Sequence, residues 1–207
     1  MASTDESGLA RARKALWIGV AVAGLAGLGM WGYAQTQSAP PASDYASAFG
    51  GTFTLTDPAG KPVSNKTLAG KPYAIFFGFT RCPDVCPTSL ARMASLRKQL
   101  GADGDKFNIV FVTVDPERDT KAELAQYLTL FDTPIIGASG TAAEMAQAVK
   151  AFHVFYERVP NGAEDYTIDH TASIFLMDAQ GRFVSTIAHD ESQETAFAKL
   201  KRLVTTS

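Results

Sequence analysis

The chain has 207 residues, 46% of them hydrophobic, and a net charge of −2 from 19 Lys and Arg against 21 Asp and Glu, which leaves room for one globular domain and an appendage. Its basic residues form no long run beyond Arg11, Arg13 and Lys14, and there is no acidic tail, so nothing in the charge pattern suggests nucleic-acid binding. With only two cysteines and three histidines, thiol and imidazole chemistry has few places to occur.

The first 15 residues read as a short cytoplasmic N-terminus. Residues 16–34 (LWIGVAVAGLAGLGMWGYA) carry no charge. As a helix at about 1.5 Å per residue they would run about 28 Å, close to a bilayer hydrocarbon core of about 30 Å. Trp17 near one end, with Trp31 and Tyr33 near the other, fits interfacial anchoring. A retained transmembrane helix is therefore favoured over a cleaved signal peptide, for which Gly32-Tyr33-Ala34 would be a tolerable site. Basic residues before the span place the N-terminus in the cytoplasm and the remainder outside. Residues 35–47, polar and carrying Pro40-Pro41, read as a linker, and the main domain is expected over 48–207.

Within that domain, Phe53–Thr56 and Lys61–Val63 flank the turn Asp57-Pro58-Ala59-Gly60 and predict a hairpin. Tyr73–Phe79 predicts a central strand, Thr88–Leu100 a helix ending at Gly101, and Asn108–Asp115 a strand buried on both faces. A helix capped by Asp119 or Thr120 follows, running to about Leu130; then come a short strand over Pro134–Gly137 and a helix over Thr141–Phe152. Val159–Asp169 reads as an irregular polar loop. Strands over Thr171–Asp178 and Arg182–Ala188 and a helix over Glu191–Leu203 complete an α/β sandwich with a central mixed sheet, an extra N-terminal hairpin and flanking helices.

Both cysteines fall in Arg81-Cys82-Pro83-Asp84-Val85-Cys86-Pro87-Thr88, the turn between the central strand and the next helix. Each precedes a proline and so is biased away from helical backbone, which makes the stretch from Cys82 to Cys86 a loop with Pro87 at the first helical position. Cys86 then flanks a helix N-terminus, an environment that lowers a thiol pKa, and Arg81 adds a nearby positive charge. Two sulfurs four residues apart can close a disulfide or jointly hold a soft metal such as Cu(I) or Zn(II), but not both at once. For a third ligand, His153 reads as a surface or packing residue and His189 as solvated or helix-capping. His170, ending the polar loop just before a strand, would lie opposite the cysteine loop in a thioredoxin-like arrangement. A lone histidine is nevertheless more often hydrogen-bonded or exposed than a ligand.

Three separated motifs, Phe79–Thr88, Val114-Asp115-Pro116-Glu117-Arg118-Asp119-Thr120 and Asp169-His170-Thr171, resemble in their order the Sco/SenC family of membrane-anchored copper chaperones. The resemblance covers nearly all of the exported domain. It implies a thioredoxin-like fold that binds one copper ion, as Cu(I) or Cu(II), through Cys82, Cys86 and His170. It further implies a metallochaperone rather than an enzyme, which assists assembly of the binuclear copper centre of cytochrome c oxidase subunit II. An upstream copper donor and a thioredoxin-like reductant are the other implied partners, and the inner membrane of a bacterium, with the domain in the periplasm, the implied location. Asp84 and Asp169 are read as solvated loop residues, with contacts to the ligands or a partner as the alternative.

The main rival is a thiol–disulfide oxidoreductase that keeps the target's copper-ligand cysteines reduced, with Cys82 and Cys86 as its redox pair. Against it stand three residues between the cysteines where thioredoxins have two, and His170-Thr171 where thioredoxins carry a cis-proline. A peroxidase of the peroxiredoxin kind is disfavoured by Phe79, which occupies the place of that family's threonine. A structural disulfide would explain the pair but not its two prolines.

Overall fold

The segment Tyr-Ala-Ile-Phe-Phe-Gly, which forms strand β3 (Tyr73–Gly78), is buried at all six positions, as a strand covered on both faces must be. The computed structural model describes residues 6–36, 48–162 and 165–206. The chain divides into two compact units, Met1–Ala42 and Ser43–Ser207.

In the first unit, helix α1 (Glu6–Thr36) covers the expected segment 16–34. Among the described residues, however, no helix is long and apolar enough to cross a membrane, so the predicted transmembrane span is not borne out there. The side chains of Trp31 and Tyr33 and linker residues 37–47 lie outside the described residues.

The second unit opens with an antiparallel hairpin of β1 (Thr54–Thr56) and β2 (Pro62–Ser64). Its main sheet has the order β5-β4-β3-β8-β9. Strands β4 (Asn108–Thr113) and β5 (Ile136–Ala138) run parallel to β3, while β8 (Ile174–Met177) is antiparallel to β3 and β9 (Phe183–Ile187) antiparallel to β8. Helices α2 (Val85–Gln99), α3 (Lys121–Leu128), α4 (Ala142–Ala151) and α5 (Gln193–Thr206) complete the mixed α/β fold.

Alternation along β3 sends its side chains to two faces. Phe77 meets Phe152 and Phe175 on one, at ring distances of 5.3 and 6.4 Å, with Phe53 behind Phe152. Phe76 shares the other with Phe111, at 6.1 Å, and Tyr127 of α3 closes on Phe111 at 5.7 Å. Helices α3 and α4 start as their sequences require. Thr120 and Thr141 each accept from the backbone of the glutamate three residues on, and that glutamate returns to the cap.

Two expectations need correcting. Helix α2 begins at Val85, so Cys86 is helical and Pro87 lies in the third position. A proline anywhere in the first turn sacrifices no intrahelical bond, which offsets the bias against helix at the residue before it. Residues around the predicted polar loop instead form a second antiparallel hairpin, β6 (Tyr156–Pro160) and β7 (Tyr166–His170). β6 is mostly exposed and β7 mostly half-buried, with Ile168 buried, so the pair carries no buried alternating pattern by which sequence could reveal it.

Candidate metal centre

The parallel strands β3 and β4 end side by side, and loops leaving the carboxyl ends of such strands are where α/β folds build sites. The loop after β3 carries Cys82. One helical turn later comes Cys86, whose side chain is 0% exposed. The hairpin strand β7 brings His170 to the same place, and one ligand atom from each of the three residues lies within 4.8 Å of the others. His170 is thus the last residue of a strand rather than part of a loop, and Tyr156 is its partner across the hairpin. Neither other histidine joins the group. His153 is exposed in left-handed backbone, its ring edge-on to Phe49 at 5.5 Å, and His189 is exposed beyond β9.

The imidazole is held for ligation. Its Nδ1 lies 3.0 Å from the Thr171 carbonyl, which can only accept, so Nδ1 carries the proton. Nε2, the nitrogen left to face the sulfurs, lies 3.4 Å from the Cys86 sulfur. Fixing one ring nitrogen by a carbonyl to free the other is how metal-binding histidines are oriented. The rings of Phe76 and Phe79, each 5.9 Å away, pack the imidazole edge-on and limit its rotation.

The thiols are unequal, and not in the sense expected. Cys82, partly exposed, accepts the Cys86 backbone N–H at 3.4 Å. A hydrogen bond from the Cys86 thiol pulls the Cys82 pKa far below the ordinary thiol range; burial opposes this, while His170 and the Cys86 and Asp84 backbone add to it. That same hydrogen bond, together with burial, pushes Cys86 up. The expectation that Cys86 is the acidic thiol is therefore reversed, because a buried sulfur beside a thiolate keeps its proton whatever helix dipole lies beneath it. Arg81 does not correct this balance: its guanidinium reaches Glu123 of α3 at 3.6 Å. Both thiols are free. They form with His170 a soft, one-sided donor set: Cys82 and His170 line a depression of about 270 Å³ whose rim includes Asp84 and Asp169, while Cys86 is buried. Both carboxylates are exposed, as solvated loop residues would be, and the Asp84 carboxylate accepts the Thr88 hydroxyl at 3.2 Å.

Sequence reasoning missed the residues that brace the site. Asp119 is not the cap of α3; Thr120 is. The Asp119 carboxylate is buried and accepts the Thr80 N–H at 2.9 Å, the Thr80 hydroxyl at 2.6 Å and the Thr113 hydroxyl at 2.5 Å, which ties the start of the cysteine loop to the end of β4. Four residues earlier, buried Asp115 accepts the Tyr166 hydroxyl at 2.8 Å and Arg118 Nε at 2.5 Å. Arg118 in turn donates to the Tyr166 carbonyl at 2.8 Å and lies 3.5 Å over the Tyr166 ring. The turn 115–119 therefore braces the cysteine loop on one side and the His170 hairpin on the other. Two acidic residues in a polar turn gave no hint of this, since burial alone distinguishes them from solvated ones.

Comparison with known proteins agrees with this geometry. The family model SCO1/SenC matches residues 41–205. The mitochondrial protein SCO1 of Saccharomyces cerevisiae is 35% identical over 156 residues, covering 74% of this chain and 53% of the relative. Indeed, the chain spans little more than half the length of the first curated relatives it matches. Among solved structures, Bradyrhizobium japonicum ScoI with copper bound is 50% identical with a TM-score of 0.69, covering 75% of this chain and 99% of that one. Yeast Sco1 with copper bound is 34% identical with a TM-score of 0.71, covering 77% and 90%.

Proposed function

This chain belongs to the SCO1/SenC family, and on that footing we propose that it is a copper chaperone whose cargo is one copper ion held by Cys82, Cys86 and His170. One observation carries the reading: two sulfurs and an imidazole nitrogen lie within 4.8 Å of one another, and Cys82 and His170 of the three line a solvent-facing depression. Two thiolates suit Cu(I), and the imidazole extends the site to Cu(II). Binding displaces the proton that Cys86 keeps beside the Cys82 thiolate, so a cation takes the place of that proton. A half-buried site with one accessible sulfur suits a carrier, since an acceptor's ligands can reach the metal from the Cys82 side. The family resemblance supports the binuclear copper centre of cytochrome c oxidase subunit II as the destination, with an upstream donor protein and a thioredoxin-like reductant as the other partners.

The N-terminal unit supports a location beyond a bacterial inner membrane. Arg11, Arg13 and Lys14 precede the uncharged segment 16–34, and apolar side chains such as Leu16, Leu25 and Met30 are exposed on α1. Membrane fractionation of cells expressing the full chain, with protease added to spheroplasts, checks this: digestion of the main domain without lysis is expected.

A second reading, a reductase for the acceptor's cysteines, is favoured by the partly exposed, readily ionised Cys82. Anaerobic titration of the reduced full chain with Cu(I) and then Cu(II) separates the two. One copper per chain, lost in Cys82→Ser or Cys86→Ser and weakened for Cu(II) in His170→Ala, is expected of the chaperone. No tight copper beside an easily cycled disulfide would leave the reductase.

A further inference from the structure

Strand β3 ends in a glycine where a buried strand ordinarily carries a β-branched or aromatic side chain. Gly78 has no unusual backbone to explain it: it lies outside the positive-φ glycines, pairs in register with Thr113, and accepts the Val114 N–H at 2.7 Å. What the missing side chain makes room for is a ligand. A Cβ at position 78 would lie 2.6 Å from the Cys86 sulfur and 2.9 Å from Phe111 Cε2, closer than real Cβ atoms come to anything.

Of those neighbours, the ring cannot step aside. Phe111 is wholly buried and wedged between the rings of Phe76 and Tyr127. The sulfur hangs on a single rotatable bond from the first turn of α2, where few rotamers are open. Any rotation that cleared a methyl group at 78 would carry the sulfur away from its place 3.4 Å from His170 Nε2.

We propose that Gly78 is a positioning residue for the metal centre: by having no side chain, it lets the Cys86 sulfur lie against β3, at the depth where both sulfurs and the imidazole close on one ion. The proposal rests on the copper-binding reading of Cys82, Cys86 and His170. It explains how a cysteine in a helix and a histidine on a separate hairpin come within reach of each other. The strand beneath them is recessed at one position.

The test uses the full chain and a cycle of four proteins: wild type, Gly78→Ala, Cys86→Ala and the double variant. Two readouts are taken, metal-free thermal unfolding and Cu(II) titration followed by the sulfur-to-copper charge-transfer absorption. Gly78→Ala is expected to lower Cu(II) affinity about tenfold or more, in the range seen when a residue that orients a metal ligand is lost, and to shift the absorption band. Its Tm loss is expected to shrink once Cys86→Ala removes the sulfur, the collision with Phe111 being common to both backgrounds and cancelling in the cycle. A wild-type spectrum and affinity in Gly78→Ala, or an equal Tm loss in both backgrounds, overturns the proposal. Should Gly78→Ala fail to fold, the cycle is repeated with Phe111→Leu in all four proteins: a loss at Gly78→Ala that Cys86→Ala relieves supports the proposal, and an equal loss with and without the sulfur overturns it. If the wild type binds no copper, the copper reading falls by itself, and the metal-free cycle still decides whether position 78 and the Cys86 sulfur compete for the same space.

Discussion

The two halves of the donor set are held by different physics. Cys82 and Cys86 hang from the core: β3 is buried throughout, α2 packs Leu90, Met93 and Leu96 inward, and the Cys86 sulfur sits against the sheet. His170 hangs from a two-stranded hairpin outside the main sheet, of whose described residues only Ile168 is buried. Burial is non-directional and hard to undo locally, whereas the hairpin depends on a few directional polar contacts to Asp115 and Arg118. The thiol side of the site is therefore expected to be the rigid side, and the hairpin that carries the imidazole the first to open. For a carrier this division is useful, because an acceptor can displace one ligand without disturbing the other two.

Removing a sulfur tests the rigid half most severely. Cys86→Ser should abolish tight Cu(I) binding while leaving the hairpin intact, read by anaerobic competition with a Cu(I) chelator; retained affinity would mean that Cys86 is not a ligand. Asp119→Ala comes next. It leaves the buried Thr113 hydroxyl and the Thr80 N–H without their acceptor, and should cost about 3 kcal/mol in denaturant unfolding. A loss below 1 kcal/mol would show that the cysteine loop does not depend on this carboxylate.

The hairpin half calls for a gentler probe. Tyr166→Phe removes the hydroxyl that Asp115 accepts, and should raise amide exchange in β6 and β7 while leaving β3 and β4 unchanged, with a loss of Cu(II) affinity that exceeds the loss for Cu(I). Uniform exchange across both sheets would erase the distinction drawn above.

Within the rigid half, the two thiols should separate by pH. The Cys82 pKa is lowered, so its thiolate is present above that lowered value and is lost only when pH falls through it; Cys86, shifted upward and buried, keeps its proton. Alkylation of the metal-free protein at pH 6 is expected to label Cys82 alone. Equal labelling of both would refute the asymmetry. The smallest effect is expected at the exposed Arg158–Glu117 pair, 2.9 Å apart, where Glu117→Gln should change stability by less than about 1 kcal/mol.

Much of this molecule was legible from composition and periodicity. The apolar runs at Tyr73–Phe79 and Asn108–Asp115 announced buried strands, threonines and glutamates announced the helix starts, and the paired cysteines announced the chemistry. The second hairpin escaped because only one of its ten strand residues is buried, so their spacing carries no record of a core. Membership of the three-ligand set escaped a reading of residues alone for a related reason. Cys86 and His170 are 84 positions apart, and one-dimensional spacing cannot report proximity across a fold. It was the resemblance of three ordered motifs that linked them.

The sequence by itself determined the donor types, the strand and helix framework and the place of the thiols at a strand end, because these depend on side-chain chemistry and local period. Tertiary structure alone decided which cysteine holds the proton, how His170 is brought to the sulfurs, and that Asp115 and Asp119 brace the loops around them. Each of those outcomes depends on burial and on distances between residues far apart in the chain, and both come into being only when the sheet assembles.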